Sequence, residues 1–242
     1  MHSTILGMSI SAVILFTILV FMFPPRDMHD DKLECMHAKL QIKYGSFGDE
    51  YNEQRMAVKY ITENRKVLEI GGNIGRNSLV IASILKDSSN LVVLESDENT
   101  ARKLEENRDL NNLSFHVESS ALSNRKLIQK GWDTIPSETL LDGYTWVKTI
   151  SLPDLKTKYN INYDTLVIDC EGAFYYILKD MPEILDNISL IIMENDYNDY
   201  AHKSYVDGVL IDQGFRRVYG KMGGSIFKPC YKYFFETWSK CI

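Results

Sequence analysis

The chain has 242 residues, of which 45% are hydrophobic and 25% charged, and these values are ordinary for a folded globular protein. That length allows one α/β domain plus a short extension. A formal net charge of −6 argues against a general nucleic-acid-binding protein, which would usually carry a basic face, so no nucleic-acid partner is expected. Four scattered cysteines, without a Cys-x-x-Cys pair, exclude a disulfide scaffold and provide no zinc motif.

The N-terminal segment is uniformly apolar. Ile5 to Phe23 is a run of 19 residues without a charge, and two prolines and Arg26 follow it. As a helix this run would span about 28 Å, close to the hydrocarbon thickness of a bilayer. The alternative is a cleaved signal peptide, whose apolar stretch is usually about 7–15 residues long and follows a basic start. The length of the run favours an uncleaved transmembrane anchor.

This pattern divides the chain into three parts. We predict a single-pass membrane anchor over residues 1–25, a polar linker over 26–48 and a folded α/β domain over 49–242. The basic residues after the apolar run, Arg26 and Lys32, are mixed with aspartates. The positive-inside rule therefore leaves open which side of the membrane the domain occupies.

Within the domain, helical patterns alternate with short apolar strands. In chain order the pattern predicts a helix over 49–63, a strand over 67–70, a helix over 77–85, a strand over 91–94, a helix over 98–110, a strand over 113–117, a less regular stretch over 123–160, a strand over 165–168, a helix over 175–181, a strand over 188–193, a helix over 202–213 and a hairpin-like pair over 215–219 and 231–235. This alternation indicates a mostly parallel sheet that helices cover on both faces.

The first strand leads into a glycine-rich turn with the sequence VLEIGGNIGRNS. Glu69 lies at the end of the strand, and the glycines of the turn are Gly71, Gly72 and Gly75. Glycines in such a turn let the backbone approach a ligand closely, and the next helix offers free N–H groups. A dinucleotide site would need G-x-G-x-x-G, but Asn73 and Arg76 stand at glycine positions. The E-x-G-x-x-x-G pattern instead indicates the cradle for the amino-acid end of S-adenosylmethionine, with an ordinary tight turn as the alternative.

Polar residues follow the next two strands. Glu95 ends the second strand about 20 residues beyond Gly75, where a carboxylate can accept hydrogen bonds from both hydroxyls of a ribose. Ser120 and Ala121 lie in the loop after the third strand, where an adenine would lie in this fold. We therefore predict Glu95 as the ribose ligand and the two loop residues as neighbours of the adenine.

A further acidic motif follows the buried strand over 165–168. Asp169 and Glu171 belong to the sequence DCEG at the carboxyl end of that strand, and ligands of open α/β sheets bind at this edge. Either carboxylate can accept a proton from an acceptor hydroxyl, and we place the general base at Asp169 first and Glu171 second. The alternative is a solvent-exposed helix cap. Residues 194–196 close the next strand as weaker candidates for the acceptor side, and nothing in the spacing requires a metal.

Taken in order, these motifs resemble the FkbM family of methyltransferases over about residues 64–236. The most specific feature is the segment TISLPDL, Thr149 to Leu155, followed shortly by the I-D-x-E-G segment. The resemblance implies a class I methyltransferase fold, which is Rossmann-like with seven strands and an antiparallel last strand. It also implies S-adenosylmethionine as cofactor. Family members with assigned roles are O-methyltransferases that often act on sugar hydroxyls, so the expected acceptor is a sugar or glycan.

The resemblance also implies a role for each motif residue. Those implied to hold the methionine end of the cofactor are Glu69, Gly71, Asn73 and Gly75, with Gly72 in the same turn. Glu95 is implied for the ribose, Ser120 and Ala121 for the adenine, and Asp169 and Glu171 for the methyl-transfer side.

This chain departs from the family pattern at two positions. Val167 stands where family members commonly have lysine, and Phe174 stands where they often have glutamate. Three alternatives therefore stay open beside a sugar O-methyltransferase. They are a methyltransferase with a protein or non-sugar small-molecule acceptor, a cofactor-binding module without catalysis, and a nicotinamide-dependent oxidoreductase. Only fold-level analogy supports the last of these.

Overall fold

The computed structural model describes residues 27–131 and 133–240. The predicted membrane anchor over residues 1–25 lies outside these described residues. Among the helices within them, none combines the length and the apolar character needed to cross a bilayer.

Seven of the strands form one twisted central sheet. The strands in chain order are β1 Val67–Ile70, β2 Leu91–Leu94, β3 His116–Glu118, β4 Ala121–Leu122, β5 Leu127–Lys130, β6 Asp133–Pro136, β7 Thr145–Val147, β8 Thr149–Ile150, β9 Thr165–Ile168, β10 Leu190–Glu194, β11 Phe215–Lys221 and β12 Phe235–Lys240. The order in the sheet is β11-β12-β10-β9-β1-β2-β3. β12 pairs antiparallel with both β10 and β11, whereas β10, β9, β1, β2 and β3 pair in parallel. The prediction of a mostly parallel seven-stranded sheet with an antiparallel last strand is confirmed.

Helices cover both faces of this sheet, as predicted. They are α1 Met28–His37, α2 Tyr51–Tyr60, α3 Arg76–Ile84, α4 Glu98–Leu110, α5 Leu152–Tyr159, α6 Phe174–Asp180 and α7 Tyr200–Asp212. Side chains alternate across each strand, so Val67 packs with residues of α2, α3 and α4 on one face. Leu68 packs with residues of α5, α6 and α7 on the other face. Both faces being buried explains why the strands read as continuous apolar runs.

The segment predicted as a linker over 26–48 is different in the structure. It begins with helix α1, whose N-cap is Asp27, and the Asp27 carboxylate accepts a hydrogen bond from the His29 N–H. Leu33 is fully buried in a small cluster with Val58 and Val80. The prediction of a linker is wrong for this stretch because one leucine among polar residues anchors the helix, and composition alone does not reveal that.

Two further stretches also differ from the expectation. The predicted hairpin strand over 231–235 is a 3₁₀ turn, Tyr231–Tyr233, and the closing strand β12 begins only at Phe235. The stretch over 123–160 that looked irregular contains an antiparallel sheet in the order β6-β5-β7 and the strand β8, which pairs in parallel with β4 just before the stretch. These strands are short and lie partly at the surface, so their apolar patterning is weak.

Candidate cofactor and acceptor site

The candidate site lies at the carboxyl edge of the sheet. Because β1, β2, β9 and β10 run in parallel, the residues that follow them meet at that edge. A cleft that is partly open to solvent lies there. Its lining brings together seven of the predicted site residues, which are Gly71, Asn73, Glu95, Ser120, Ala121, Asp169 and Glu171.

The glycine-rich turn holds the base of this cleft. Gly71 has φ +92°, and a Cβ at this position would lie 1.6 Å from the carbonyl oxygen of Asp169. Only a glycine therefore lets β1 and β9 end so close together. Gly72 turns the other way, because a Cβ there would meet Val93 of β2 at 2.1 Å. Gly72 thus packs against the sheet and does not line the cleft, and neither does Gly75, which begins α3.

Glu95 is a buried carboxylate at the end of β2. One of its oxygens accepts a hydrogen bond from the Asn73 N–H and the other from the Asp97 N–H, both at 2.8 Å. These two bonds fix the orientation of the carboxylate toward the cleft and leave each oxygen a free lone pair. Burial raises the pKa of Glu95 above its usual value, although the backbone donors act against this rise.

The β3–β4 connection, for which adenine contacts are predicted, forms another wall of the cleft. Ser120 is buried, and its hydroxyl donates to the Glu118 carboxylate at 3.0 Å. Gln129 of β5 and Thr134 of β6 complete this wall. These two residues were not predicted, because they come from strands in the stretch that the sequence pattern left irregular.

Asp169 and Glu171 lie on the opposite wall, after β9. Glu171 has φ +51°, an unusual backbone conformation for a glutamate, and strained residues of this kind concentrate at functional sites. Partial burial, together with a hydrogen bond shared with Asp196, raises the pKa of Glu171 to about 7, although part of this side chain is exposed to solvent. Partial burial raises the pKa of Asp196, but its bonds to Glu171 and Lys228 lower it overall.

A second, smaller cavity lies beside the cleft, with room for about one water molecule. Glu69 is 2% exposed and lines this cavity instead of the cleft. One carboxylate oxygen of Glu69 accepts a hydrogen bond from the Asn77 amide at 3.1 Å, and the other has no hydrogen-bond partner among the described residues. Burial raises the pKa of Glu69 to about 8.

Other carboxyl groups surround the same small cavity. Glu50 and Glu53 approach from α2 and its N-terminus, and Asp169 and Glu194 from the ends of β9 and β10. Burial and these like-charged neighbours raise the pKa of both Asp169 and Glu194 well above the usual range. Arg76 pairs with Glu50 at 2.7 Å. The carboxyl groups of Asp169 and Glu194 therefore keep their protons to a higher pH than exposed carboxyl groups do.

Glu50 and Glu53 were not predicted as site residues. For Glu53 a signal was available, because it precedes Met56 by three residues and Ala57 by four, and all three lie on the buried face of α2. An acid on the apolar face of a helix indicates a polar cavity beneath it. Among the described residues, no set of three or more His, Cys, Asp and Glu side chains has an arrangement that would hold a metal ion.

Comparison with known proteins was informative only at the level of structure. No protein-family model matches the chain, and no curated protein matches its sequence. An O-methyltransferase from Bacillus cereus, solved in complex with SAH, is 16% identical with a TM-score of 0.50, and the match covers 94% of this chain and 97% of that one. A ribosomal protein L11 methylase from Lactobacillus delbrueckii subsp. bulgaricus is 12% identical with a TM-score of 0.50, covering 81% and 83%.

These similarities establish the fold. The chain has a Rossmann-like methyltransferase fold, with the mostly parallel seven-stranded sheet and the flanking helices described above. At such low identities, the activity must be argued from the chemistry of the cleft itself.

Proposed function

We propose that this protein is an S-adenosylmethionine-dependent methyltransferase that methylates a hydroxyl oxygen. One observation carries the proposal: the buried Glu95 carboxylate is fixed beside the Gly71 turn, in a cleft whose opposite wall is Asp169 and Glu171. The fold supports it, and so do the structural neighbours, since the Bacillus cereus protein of the same fold is an O-methyltransferase solved with SAH.

The residues present fit this cofactor. Gly71 lines the cleft without a side chain, and Glu95 retains lone pairs that can accept from ribose hydroxyls. Ser120 and Ala121 line the part of the cleft proposed for the adenine. Glu69 lines the neighbouring cavity and not the cleft, so its contact with the methionine end stays a prediction. When bound, S-adenosylmethionine supplies a methyl group already activated by a positively charged sulfur.

The remaining task of the protein is to position the acceptor and to remove its proton. Asp169 was the first choice for the base, but burial and its acidic neighbours raise its pKa well above the usual range, which favours its protonated form. Glu171, with a pKa of about 7, matches the value that a general base needs. We therefore assign proton acceptance to Glu171 and a hydrogen bond to the acceptor oxygen to Asp169.

A sugar or glycan acceptor, FkbM membership and membrane attachment through residues 1–25 form the finer part of the proposal. The motif resemblance supports the first two, and the uncharged run from Ile5 to Phe23 supports the third. The departures from the family pattern are both buried in this chain, with Val167 in the wall of the small cavity and Phe174 in the core. If no sugar is methylated, two alternatives remain. The acceptor is then a protein or another small molecule, or the protein binds the cofactor without catalysis.

The decisive experiment is calorimetric titration of the full-length protein with S-adenosylmethionine and, separately, with NAD. We expect binding of S-adenosylmethionine only, and about 10- to 150-fold weaker binding by Glu95→Ala, because hydrogen bonds to a charged group contribute about 1.5–3 kcal/mol. Glu98→Ala is the matched control, since Glu98 is exposed on the first turn of α4.

Absence of S-adenosylmethionine binding by the folded wild-type protein would remove the cofactor assignment. Equal affinities of the Glu95→Ala variant and the wild type would remove the role given to Glu95. Binding with no methyl transfer to any acceptor in a panel of glycans, proteins and small alcohols would favour a binding module.

A further inference from the structure

Strand β11 and the connection that follows it carry a charge opposite to that of the whole protein. Residues 215–233 contain five Lys and Arg residues and no Asp or Glu, in a chain whose net charge is −6. Arg217 pairs with Glu236 and Lys228 with Asp196. Arg216, Lys221 and Lys232 are exposed at the surface. The segment therefore presents positive charge to whatever it faces.

The same connection exposes large apolar side chains. Phe227 is 91% exposed, Ile226 66% and Met222 60%. We call residues 222–228 the apolar loop. Single exposed apolar residues are normal on a protein surface. Three of them within six positions, flanked by lysines, indicate a surface that a membrane or another protein covers.

The apolar loop lies at the rim of the candidate site. It follows the carboxyl end of β11, the same edge of the sheet at which the cleft opens. The Lys228 ammonium donates to the carboxylate of Asp196 at 2.7 Å and to the side chain of Asn198 at 2.8 Å. Asp196 in turn shares a hydrogen bond with Glu171. The loop is therefore linked directly to the acceptor side of the cleft.

The loop is also close to the start of the described chain. The Lys221 ammonium donates to the Asn52 side chain at 2.6 Å. Three residues further along the same helix, Arg55 forms ion pairs with Asp27 and Asp30. The uncharged run of the sequence ends at Phe23, only four residues before Asp27. About one helical turn of α2 thus separates Asn52, which Lys221 contacts just before the loop, from Arg55, which pairs with the first residues of the described chain.

We infer that the apolar loop is a membrane-contacting surface, in which Met222, Ile226 and Phe227 enter the boundary between lipid headgroups and acyl chains. Apolar side chains partition into that boundary, and basic residues beside them are attracted to anionic headgroups. The charge of the segment and its position beside the predicted anchor both favour a lipid surface over a protein partner. The cleft then opens toward the bilayer, so a lipid-borne acceptor can reach it.

The test is quenching of tryptophan fluorescence by lipids with brominated acyl chains. Full-length Phe227→Trp protein is reconstituted in phosphatidylcholine vesicles with and without phosphatidylserine, and wild-type protein gives the background of its own tryptophans. Leu110→Trp is the matched control, because Leu110 is also exposed but ends α4 at the opposite edge of the sheet. We expect quenching above background for Phe227→Trp only, and more of it when phosphatidylserine is present.

Equal quenching of the two variants, or none in either, would overturn the inference. So would protein that does not float with vesicles of either composition. Burial of the introduced indole in a protein oligomer, seen as a fluorescence shift of Phe227→Trp in the absence of lipid, would identify a protein partner instead. The titration with S-adenosylmethionine is independent of all these outcomes, so failure of the membrane contact leaves the proposed function standing.

Discussion

Glu69 carries a carboxyl group that the fold removes almost completely from water. Its pKa is raised to about 8 by burial, whereas the same group in an unfolded chain titrates near 4.5. Between about pH 4.5 and about pH 8, the folded protein therefore holds a proton that the unfolded chain has released. The free energy of unfolding must fall as the pH rises through this interval. The raised pKa values of Asp169 and Glu194 act in the same direction.

We predict that Glu69→Gln reduces the loss of stability with rising pH. Glutamine keeps the shape of the side chain but cannot ionise, so the variant lacks one of the groups that cause the decline. The measurement is the thermal unfolding midpoint of cofactor-free protein across a pH series from about 5 to about 8. Glu63→Gln serves as control, because Glu63 is exposed. An unchanged slope would mean that Glu69 is already ionised in the folded protein.

At the scale of single elements, α1 shows how a polar helix becomes part of a domain. Ion pairs from Arg55 to Asp27 and Asp30 join its first turn to α2, and Leu33 fills a pocket lined by Val58 and Val80. The ion pairs are partly exposed, and such pairs contribute little stability. Burial of Leu33 therefore accounts for most of the attachment of α1.

We predict that Leu33→Ala lowers the free energy of unfolding by about 2–4 kcal/mol, because it removes buried methyl groups and leaves a cavity. Met28→Ala, in the same helix but at an exposed position, should change it by less than about 0.5 kcal/mol. Urea unfolding of both variants provides the comparison. If the two variants were equally stable, α1 would be a loosely attached extension.

At the scale of the whole molecule, Glu236 joins three elements. This fully buried residue of β12 accepts hydrogen bonds from Lys203 of α7 at 2.8 Å, from Arg217 of β11 at 2.7 Å and from the Trp238 indole at 3.0 Å. Lys203 is itself buried and also pairs with Asp207. The network therefore links the last two strands of the sheet to the helix that covers them.

We predict that Glu236→Ala lowers the free energy of unfolding by about 3–5 kcal/mol, since it takes one of two carboxylate partners from the buried Lys203 ammonium and also removes the partner of Arg217. The double variant Glu236→Leu with Lys203→Met should recover a large part of that loss, because it removes both charges together. Thermal and urea unfolding measure both. A single variant within about 1 kcal/mol of wild type would show that water already solvates the network.

Much of the sheet could be predicted from the sequence. Strands β1, β2 and β9 have the predicted bounds, and α4 runs over Glu98–Leu110 as predicted. These strands are buried on both faces, so their apolar runs stand out between polar turns. The convergence of Gly71, Glu95 and Asp169 on one cleft also followed from the order of the parallel strands.

The remainder depended on contacts between residues distant in the sequence. The carboxyl groups of Glu50 and Glu53 meet Glu69 and Asp169 only because α2 packs against the central sheet beside β10. Their mutual effect on the pKa values, which moves the proposed base from Asp169 to Glu171, is not visible in any local pattern. For the same reason, α1 and the start of β12 escaped prediction.

The last strand has a consequence for the synthesis of this protein. β12 lies between β10 and β11, so neither of these strands has its final neighbour until residues 235–240 have left the ribosome. A product cut short before Phe235 loses the pairing of β11 as well as β12 itself. It also leaves β10, with its isoleucines, as a bare edge that can pair with another unfinished chain. Incomplete copies should therefore aggregate, which exposes them to cellular proteolysis before they accumulate.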